Sequence, residues 1–590
     1  MSGTMSEKEL RINCGSKLCA QVPDEKNASA YNNAAAMAIV GNTMYWVKTH
    51  KRVNSQNVYK STVYKAADFT GTAEISRVVV KVIDYFVYGM TVKGNILYLT
   101  CKKSSTESGV LAMDLNGNIR SYTPLDKTYV GIASYVGSEF LMMEYLDSKV
   151  PAILKFARGT LAEFGQNEQR KFTVTANDAT EYTKANGIYF DVNYGIFILA
   201  NHYISDYSQC KNRILLVRAA DYKANTVYSP YAVFQADFDT TKYRQFNFEG
   251  IALYKNNMWE LSNVIGTGSN TIDTDRVTYQ AGVTFTKVDS GKNEFENGYF
   301  YFKGATKTGA LIPDEVVDNI QCKNLESMAI DESGKAYCLK CDSQNEHAVL
   351  MSTSNLESIR ATKVAVYKDK DCLYHCNGMM YNSNDKHLYI CGYDKSDKNN
   401  IKKNIYVVDK NGKVLKIYDS GKPQYGIALY KKETSRCEIL LMNQKVYDER
   451  ENADNTIPFD IAIFENTTMN IVQNAFKLEF GRKTGETLQD IFYNSIYGMF
   501  VPVTSFNGLK NKAIIFHISK EQIEYALKQG GVVRPDFAIL LDKSETYKNY
   551  EIESMDIISG KKQMAICGNF QVKNEVQKDT FEVLKTLIFE

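Results

Sequence analysis

Six side chains that carry oxygen atoms stand at one position of a phrase that recurs along the sequence. Each comes directly before a small or polar residue that opens an apolar run, as Glu249 comes before Gly250-Ile-Ala-Leu-Tyr254. The six are Asn186, Glu249, Glu326, Asn377, Gln489 and Glu553. Carboxylate and amide oxygens are the ligands that Ca²⁺ prefers, so these residues are candidates for a ligand-binding site that could hold Ca²⁺. The same side chains could instead hydrogen-bond backbone groups of a neighbouring strand, or bind a ligand other than a metal.

Motifs of catalysis are missing from the sequence. It has no Gly-x-Ser-x-Gly, no phosphate-binding glycine loop and no His-Glu-x-x-His, so no catalytic residue is predicted. Cys101, Cys391 and Cys567 each end an apolar run, and this shared position predicts a buried packing role. Cys338 and Cys341 form a C-x-x-C pair in a strand-like run. Residues three apart on a strand point to opposite faces, so this pair does not indicate a redox site.

The elements that would position these side chains follow from the recurrence itself. The phrase is a small or polar marker residue, an apolar run, a tight polar turn and a second apolar run. The markers are Ala36, Gly89, Gly131, Gly187, Gly250, Ser327, Gly378, Gly426, Asp490 and Ser554. Their mean spacing is about 58 residues, somewhat longer than a propeller blade of about 40–50. Each interval has room for four short strands, and helix signals are nearly absent apart from residues 519–529. The sequence therefore predicts an all-β protein with the β-propeller fold.

Two ring arrangements are open. A spare strand within residues 8–22 could complete the last blade, which has three legible strands, and so close one ring of ten four-stranded blades over residues 1–590. This single ring is the first expectation. The spacings of the first five markers resemble those of the last five. The alternative is therefore two five-bladed propellers, over residues 23–320 and 321–590.

One segment resembles a known kind of repeat. Glu326-Ser-Met-Ala-Ile-Asp-Glu-Ser-Gly-Lys-Ala-Tyr337 is similar to propeller repeats of the NHL and gluconolactonase-like type, in which a Gly-Ile-Ala-Val-Asp phrase opens the inner strand. The resemblance implies that the residue before each marker lies near one rim of the central channel. It also implies that a divalent ion is a possible ligand there, as in lactonases and phytases of related shape. It is too generic to imply an activity.

Composition excludes some partners. The formal net charge is +2, which argues against nucleic-acid binding through a broad basic surface. No apolar run is long enough to predict a membrane span. Residues 1–10 do not read as a signal peptide and the cysteines are scattered, so we expect a cytoplasmic protein, or a secreted one if a leader precedes this sequence.

The sequence favours a function without catalysis. We expect a rigid recognition scaffold that binds a protein or glycan partner through loops on a propeller face, chiefly residues 263–274 and 443–456. An enzyme is the less favoured reading. The alternative is a divalent-metal-dependent hydrolase or lyase that acts on sugars, lactones or phosphate esters at the central channel. A carbohydrate-binding propeller with exposed tyrosines is a third possibility.

Overall fold

The computed structural model divides the chain into two compact units, Met1–Phe285 and Thr286–Glu590. It describes residues 10–23, 32–53, 56–144, 153–175, 182–203, 210–219, 221–237, 243–266, 273–281, 283–285, 300–342, 347–357, 359–368, 373, 375–394, 402–433, 435–443, 456–465, 467–479, 487–504, 511–558, 562–576 and 578–589. Within these residues there are 47 strands and two short helices. The all-β class predicted from the sequence is therefore confirmed.

The described residues of the first unit form 22 strands and one helix. They are β1 (Leu10–Val22), β2 (Asn32–Val40), β3 (Thr43–Val53), β4 (Gln56–Ala66), β5 (Val78–Ile83), β6 (Phe86–Lys93), β7 (Ile96–Lys102), β8 (Ser108–Asp114), β9 (Ile119–Leu125), β10 (Tyr129–Ser134), β11 (Phe140–Glu144), β12 (Ile153–Gly159), α1 (Leu161–Gly165), β13 (Arg170–Thr175), β14 (Tyr182–Asp191), β15 (Gly195–Tyr203), β16 (Cys210–Val217), β17 (Val227–Tyr228), β18 (Ala232–Asp237), β19 (Tyr243–Tyr254), β20 (Asn257–Gly266), β21 (Asp273–Ala281) and β22 (Val283–Phe285).

Most strands of the first unit fall into five groups of four, and β17 pairs with β13 beside one of them. Four follow the chain as β2-β3-β4-β5, β6-β7-β8-β9, β10-β11-β12-β13 and β14-β15-β16-β18. The fifth is β19-β20-β21 with β1 as its fourth strand, because β1 pairs antiparallel with β21 from Gly15 opposite Ala281 to Val22 opposite Asp275. The first strand of each group contacts the next, and β19 returns to β2. The contacts among these inner strands therefore form a closed cycle of five.

Alternation along the strands explains how both faces of a sheet become buried. On β3, Trp46 packs with Tyr64 and Leu261 in one apolar cluster, while its neighbour Val47 packs with Leu97 in another. Successive strand residues point to opposite faces, so an apolar run without polar interruptions buries both sides between neighbouring sheets. The apolar runs of the recurring phrase therefore supply the interfaces between sheets.

The second unit repeats the plan with its own elements. They are β23 (Phe300–Lys303), β24 (Thr306–Ile312), β25 (Glu315–Val317), β26 (Ile320–Cys322), β27 (Asn324–Ile330), β28 (Ala336–Cys341), β29 (His347–Thr353), β30 (Thr362–Lys368), β31 (His375–Asn382), β32 (His387–Asp394), β33 (Lys402–Val408), β34 (Val414–Asp419), β35 (Gly426–Lys432), β36 (Arg436–Met442), β37 (Ile457–Glu465), β38 (Thr468–Leu478), β39 (Thr487–Leu488), β40 (Phe492–Asn494), β41 (Gly498–Thr504), β42 (Lys512–Ile518), α2 (Lys520–Gln529), β43 (Val532–Val533), β44 (Phe537–Asp542), β45 (Tyr547–Ile558), β46 (Gln563–Val572) and β47 (Lys578–Phe589).

Here too the inner strands form a cycle of five. The groups are β27-β28-β29-β30, β31-β32-β33-β34, β35-β36-β37-β38, β40-β41-β42-β44 and β45-β46-β47-β24, with β39 beside β40 on the same edge of β41. Contacts run from β27 to β31, β35, β40 and β45, and from β45 back to β27. Helix α2 begins within one residue of the position that the sequence predicted.

The ring of ten blades is not confirmed. Contacts among inner strands return to their starting strand after five groups in each unit, which is the behaviour of a shorter ring. In the last group, β47 pairs antiparallel with β24 from Thr306 opposite Leu584 to Ile312 opposite Asp579. That residues 8–22 complete the last blade stays a prediction. None of the helices in the described residues has the length and apolarity needed to cross a membrane.

Candidate functional site

The marker residues of the first unit meet at its axis. Backbone from neighbouring inner strands comes so close that a side chain is excluded: a Cβ atom on Gly250 would lie 2.6 Å from the Met37 amide nitrogen, and one on Gly89 would lie 3.0 Å from the Val130 carbonyl oxygen. Glycine permits such approaches because it has no Cβ atom. The recurring glycine of the sequence therefore reflects close packing around the axis.

A cavity of about 410 Å³ lies on this axis, beyond the markers. All five inner strands line it with the residues that follow their markers, and most of these residues are apolar. Three polar side chains are among them: Thr91, Ser134 and Asp191. At the markers themselves the axial space narrows to about 10 Å³, which is about the volume that one water needs. The first unit thus has an axial cavity with a narrow floor.

Asp191 is the one carboxylate among the described residues that line the axial cavity. It ends β14, where the chain turns, and its Oδ1 accepts a hydrogen bond of 2.8 Å from the Asn193 amide. The side chain is partly exposed, so it reaches both the cavity and solvent. Such a group can accept a proton or hydrogen bonds from a bound molecule.

Aromatic rings form the wall beside Asp191. Tyr135 and Phe190 both line the cavity, and their ring centres lie 4.6 Å apart. The Arg158 guanidinium lies 4.8 Å from the centre of the Tyr135 ring, and its Nε donates to Glu139 at 2.8 Å. Burial raises the pKa of Tyr135, although the charge of Arg158 opposes this. The Arg158–Glu139 ion pair therefore packs against the Tyr135 ring of this wall.

Asp191 was not among the residues predicted from the sequence, although the sequence contains a signal for it. Gly187-Ile-Tyr-Phe-Asp191 has the spacing of the Gly-Ile-Ala-Val-Asp phrase, with the acidic residue four positions after the marker. The predicted site residues stand before the markers instead. In the first unit, Asn186 and Glu249 precede their markers, whereas the cavity is lined by residues that follow the markers; Glu249 lines the small space at the markers themselves.

Two of the six predicted site residues lie in the first unit, and they bind each other. The Asn186 Nδ2 donates to Glu249 Oε2 at 2.9 Å and to the Phe248 carbonyl at 3.1 Å. Asn263 Nδ2 donates to Glu249 Oε1 at 3.0 Å. These contacts join β14, β19 and β20, and they match the bonding role that the sequence left open beside ligand binding.

The other four lie in the second unit. Glu553 Oε1 accepts a hydrogen bond of 2.6 Å from Asn569 Nδ2, and Gln489 Nε2 donates to Glu551 Oε1 at 3.1 Å. Glu326 is buried, and Asn377 is only 4 % exposed, with no hydrogen-bond partner for its amide within the described part of the chain. The six therefore divide between the two units, and their role as ligand-binding residues stays a prediction.

Metal binding has no cluster to support it in the described residues, which contain no group of three or more His, Cys, Asp or Glu side chains placed to hold an ion. Ca²⁺ at the residues before the markers stays a prediction. Of the loops expected to meet a partner, residues 267–272 and 444–455 lie outside the described residues.

The axis of the second unit differs from that of the first because a side chain fills it. Asp490 stands at a marker position and is 1 % exposed. Its carboxyl group accepts hydrogen bonds from the amides of Met379 and Ile427 and from the Ser554 hydroxyl. These partners belong to β31, β35 and β45. Burial raises the pKa of Asp490 to about 8, so this carboxyl group holds its proton more tightly than an exposed one.

Comparison with known proteins gives similarity of fold alone. No family model matches the chain, and no curated protein matches it. A GH43_1 enzyme from Xanthomonas citri complexed with xylose is 10% identical, with a TM-score of 0.30 over 45% of this chain and 90% of that one. The native arabinanase Arb43A from Bacillus subtilis is 10% identical, with a TM-score of 0.29 over 42% of this chain and 96% of that one. One of two prolyl endopeptidases is 10% identical, with a TM-score of 0.21 over 86% of this chain and 61% of that one.

These similarities agree with a propeller-like fold at a coarse level and correct one prediction. The sequence favoured a recognition scaffold without catalysis, and this is contradicted, because the similar structures are enzymes. At such low identity and TM-scores they say nothing about the residues or substrate of this chain, which have to be derived from its own geometry.

Proposed function

We propose that the chain forms two five-bladed propellers, one in each unit. The cycles of five inner strands support this arrangement, and each unit has its own strand to complete its last group, β1 in the first and β24 in the second. The boundary then falls near residue 285 rather than at residue 320, the boundary in the two-propeller alternative from the sequence. Residues 306–312 move into the second propeller, because they pair with β47.

We further propose that the protein is a hydrolase that acts on a small carbohydrate derivative, and that the axial cavity of the first unit is its active site. The observation that carries this proposal is the cavity of about 410 Å³ with a carboxylate in its wall. Small-molecule sites have volumes of about 300–1,000 Å³ and mostly apolar walls with a few polar groups. The cavity has both properties.

The wall chemistry suits a sugar ring. The faces of Tyr135 and Phe190 can pack against the C–H face of a sugar, because both surfaces are apolar. Thr91, Ser134 and Asp191 offer oxygen atoms to its hydroxyl groups. The Thr91 hydroxyl oxygen already accepts a hydrogen bond of 3.1 Å from the Ser134 amide, so its own proton remains free to be donated to a ligand.

The number of carboxylates narrows the reaction. Cleavage of a glycosidic bond generally uses a pair of carboxyl groups, whereas the described cavity wall has Asp191 alone. One general base is sufficient for hydrolysis of a sugar ester or lactone. Asp191 takes a proton from water, the hydroxide attacks the carbonyl carbon, the carbon–oxygen bond to the leaving group breaks, and the proton passes from Asp191 to the leaving oxygen.

We expect Asp191→Asn to lower kcat by about 10²–10⁴-fold, because an amide cannot take a proton from water. The assay measures hydrolysis of a panel of sugar lactones, acetylated sugars and aryl glycosides by wild type and variant. Asp126→Asn is the matched control, since Asp126 is an exposed carboxylate of the same unit outside the cavity wall. Wild-type protein that hydrolyses none of the panel, or an Asp191→Asn variant with unchanged kcat, would contradict the proposal.

The same assay tests whether hydrolysis depends on a divalent ion, as the sequence predicted for a hydrolase of this kind. If the residues before the markers hold Ca²⁺, chelation should lower the rate and added Ca²⁺ should restore it. Glu249→Gln and Glu553→Gln should then weaken Ca²⁺ binding in calorimetry. A rate that is insensitive to chelation would contradict a role for Ca²⁺ and would not affect the proposed role of Asp191.

A further inference from the structure

The Asp490 carboxyl group is surrounded by donors from four inner segments of the second unit. Its Oδ1 lies 3.1 Å from the Ile427 amide nitrogen and 2.8 Å from that of Ile491. Its Oδ2 lies 3.4 Å from the Met379 amide nitrogen and 2.6 Å from Ser554 Oγ. The contact with Ser554 is the shortest of the four, as expected for a hydroxyl–carboxyl pair.

Ser554 links this group to the remaining inner strand. Its Oγ lies 3.2 Å from the Met328 carbonyl oxygen of β27 as well as 2.6 Å from Asp490 Oδ2. A serine hydroxyl has one proton to donate, so it can serve one of these two acceptors at a time. Which acceptor it serves depends on whether Asp490 carries a proton.

We propose that Asp490 and Ser554 form a proton-operated clasp on the axis of the second unit. When Asp490 is protonated, its Oδ2–H donates to Ser554 Oγ, and the Ser554 proton goes to the Met328 carbonyl, so that all five inner strands are joined. When Asp490 is ionised, Ser554 donates to the carboxylate and the Met328 carbonyl loses this donor. Strand β27 is then held less firmly to the axis.

The titratable groups that face Asp490 from the elements packed around it are few. Cys391 on β32 and Cys567 on β46 are both buried, and burial raises the pKa of each thiol, so both stay neutral. Glu553 and Asp556 flank Ser554 on β45. Burial raises the pKa of Asp556 to about 7, and the Ile330 amide donates to it at 2.7 Å.

The sign of the pH effect follows from these shifts. An exposed aspartate has a pKa of 3.8, and burial raises that of Asp490 to about 8. Between about pH 4 and pH 8 the folded state therefore keeps a proton on Asp490 that the unfolded state has released. The contribution of Asp490 to the free energy of unfolding is therefore greatest below about pH 4. It falls as the pH rises and levels off above about pH 8. Asp556 acts in the same direction up to about pH 7.

The test uses the full chain, in which the two units can be followed separately. The sequence has two tryptophans, and both of them, Trp46 and Trp259, lie in one buried cluster of the first unit. Tryptophan fluorescence therefore reports unfolding of the first unit, while circular dichroism reports both. In the wild type we expect the melting temperature of the second unit to fall between pH 5 and pH 8. This fall is measured relative to any change in the fluorescence transition of the first unit.

Asp490→Asn supplies the matched variant, because an amide has the shape of the protonated carboxyl group and can donate to Ser554 without titrating. In this variant the melting temperature of the second unit should lose most of its dependence on pH, whereas in Asp556→Asn it should lose a smaller part. An Asp490→Asn variant with the full wild-type dependence would overturn the proposal.

A second measurement needs no variant and remains decisive if Asp490→Asn does not fold. Hydrogen exchange of β27 amides, corrected for intrinsic exchange, should quicken by up to about tenfold for each pH unit as far as about pH 8, the effect of one linked proton. Exchange in β2 of the first unit is the internal reference. Corrected β27 exchange that does not change with pH would overturn the clasp.

Discussion

Two asparagines show how single residues close the last sheet onto the first in each unit. In the first unit, Asn263 Nδ2 donates to Glu249 and lies 3.5 Å from the Ala34 carbonyl oxygen of β2. In the second, Asn569 Nδ2 donates to Glu553 and to the Leu325 carbonyl of β27. The two sites are equivalent, so the recurrence extends to hydrogen bonds that the apolar phrase does not reveal.

We expect Asn569→Ala to destabilise the second unit by about 1–3 kcal/mol, because Glu553 and the Leu325 backbone would remain buried without this partner. Denaturant unfolding followed by circular dichroism measures the change. Gln571→Ala is the control, since Gln571 lies on the same strand and makes its hydrogen bond at the surface; its effect should stay within about 0.5 kcal/mol. Equal effects of the two substitutions would show that Asn569 does not close the ring.

What the sequence can reveal about single residues depends on periodicity. Marker glycines such as Gly250 stand out because they recur, and the structure explains them by close backbone approach. Asn263 and Asn569 do not stand out, since the carbonyl groups that they reach on the first sheet of each unit are about 230 to 245 residues away in sequence. Asp191 lies between these cases. Its spacing from Gly187 is regular, but its place in a cavity wall depends on five strands that are distant in sequence.

At the scale of elements, the strands that carry the apolar runs of the recurring phrase were readable from the sequence. The apolar run Gly250-Ile-Ala-Leu-Tyr254, for example, lies within β19. Strand β24, with the sequence TKTGALI, was missed. Only Ala310 and Ile312 of this strand are buried, so its apolar pattern is weak. An outer strand has one covered face, and a short alternating pattern of this kind is also common in loops.

A glycine in β24 gives a test of this element. A Cβ atom on Gly309 would lie 2.0 Å from the Leu356 carbonyl oxygen and 3.0 Å from that of Phe581. We therefore expect Gly309→Ala to displace β24 and to cost about 1–3 kcal/mol, measured by denaturant unfolding. Gly165→Ala is the control, because its nearest neighbour would be 3.7 Å away. If the two variants have the same midpoint, β24 does not pack as described.

At the scale of the whole molecule, the recurrence predicted a propeller-like fold but not the number of rings. Ten markers are compatible with one ring or two, since ring closure depends on contacts between sheets that are remote in sequence. The matching spacings of the two halves pointed toward five. The expected role of the N-terminal strand, which rested on the three legible strands after Ser554, pointed toward ten.

If each unit is a complete five-bladed propeller, residues 1–285 and 286–590 should each fold when produced alone. We expect cooperative thermal unfolding of both fragments by circular dichroism. The first should show the same tryptophan fluorescence transition as the full chain, because Trp46 and Trp259 are both inside it. A first fragment with the emission of exposed tryptophan would mean that its ring does not close by itself.

The position of β1 has a consequence for synthesis on the ribosome. Residues 10–22 leave the exit tunnel well before their antiparallel partner, residues 273–281, which follows roughly 250 residues later, or tens of seconds at about 5–20 residues per second. Throughout this time the nascent chain carries an unpaired strand edge, the kind of surface through which chains aggregate. The second unit repeats the delay, since β24 waits for β47. Each half of this protein therefore passes through a long interval in which a chaperone has an edge to protect.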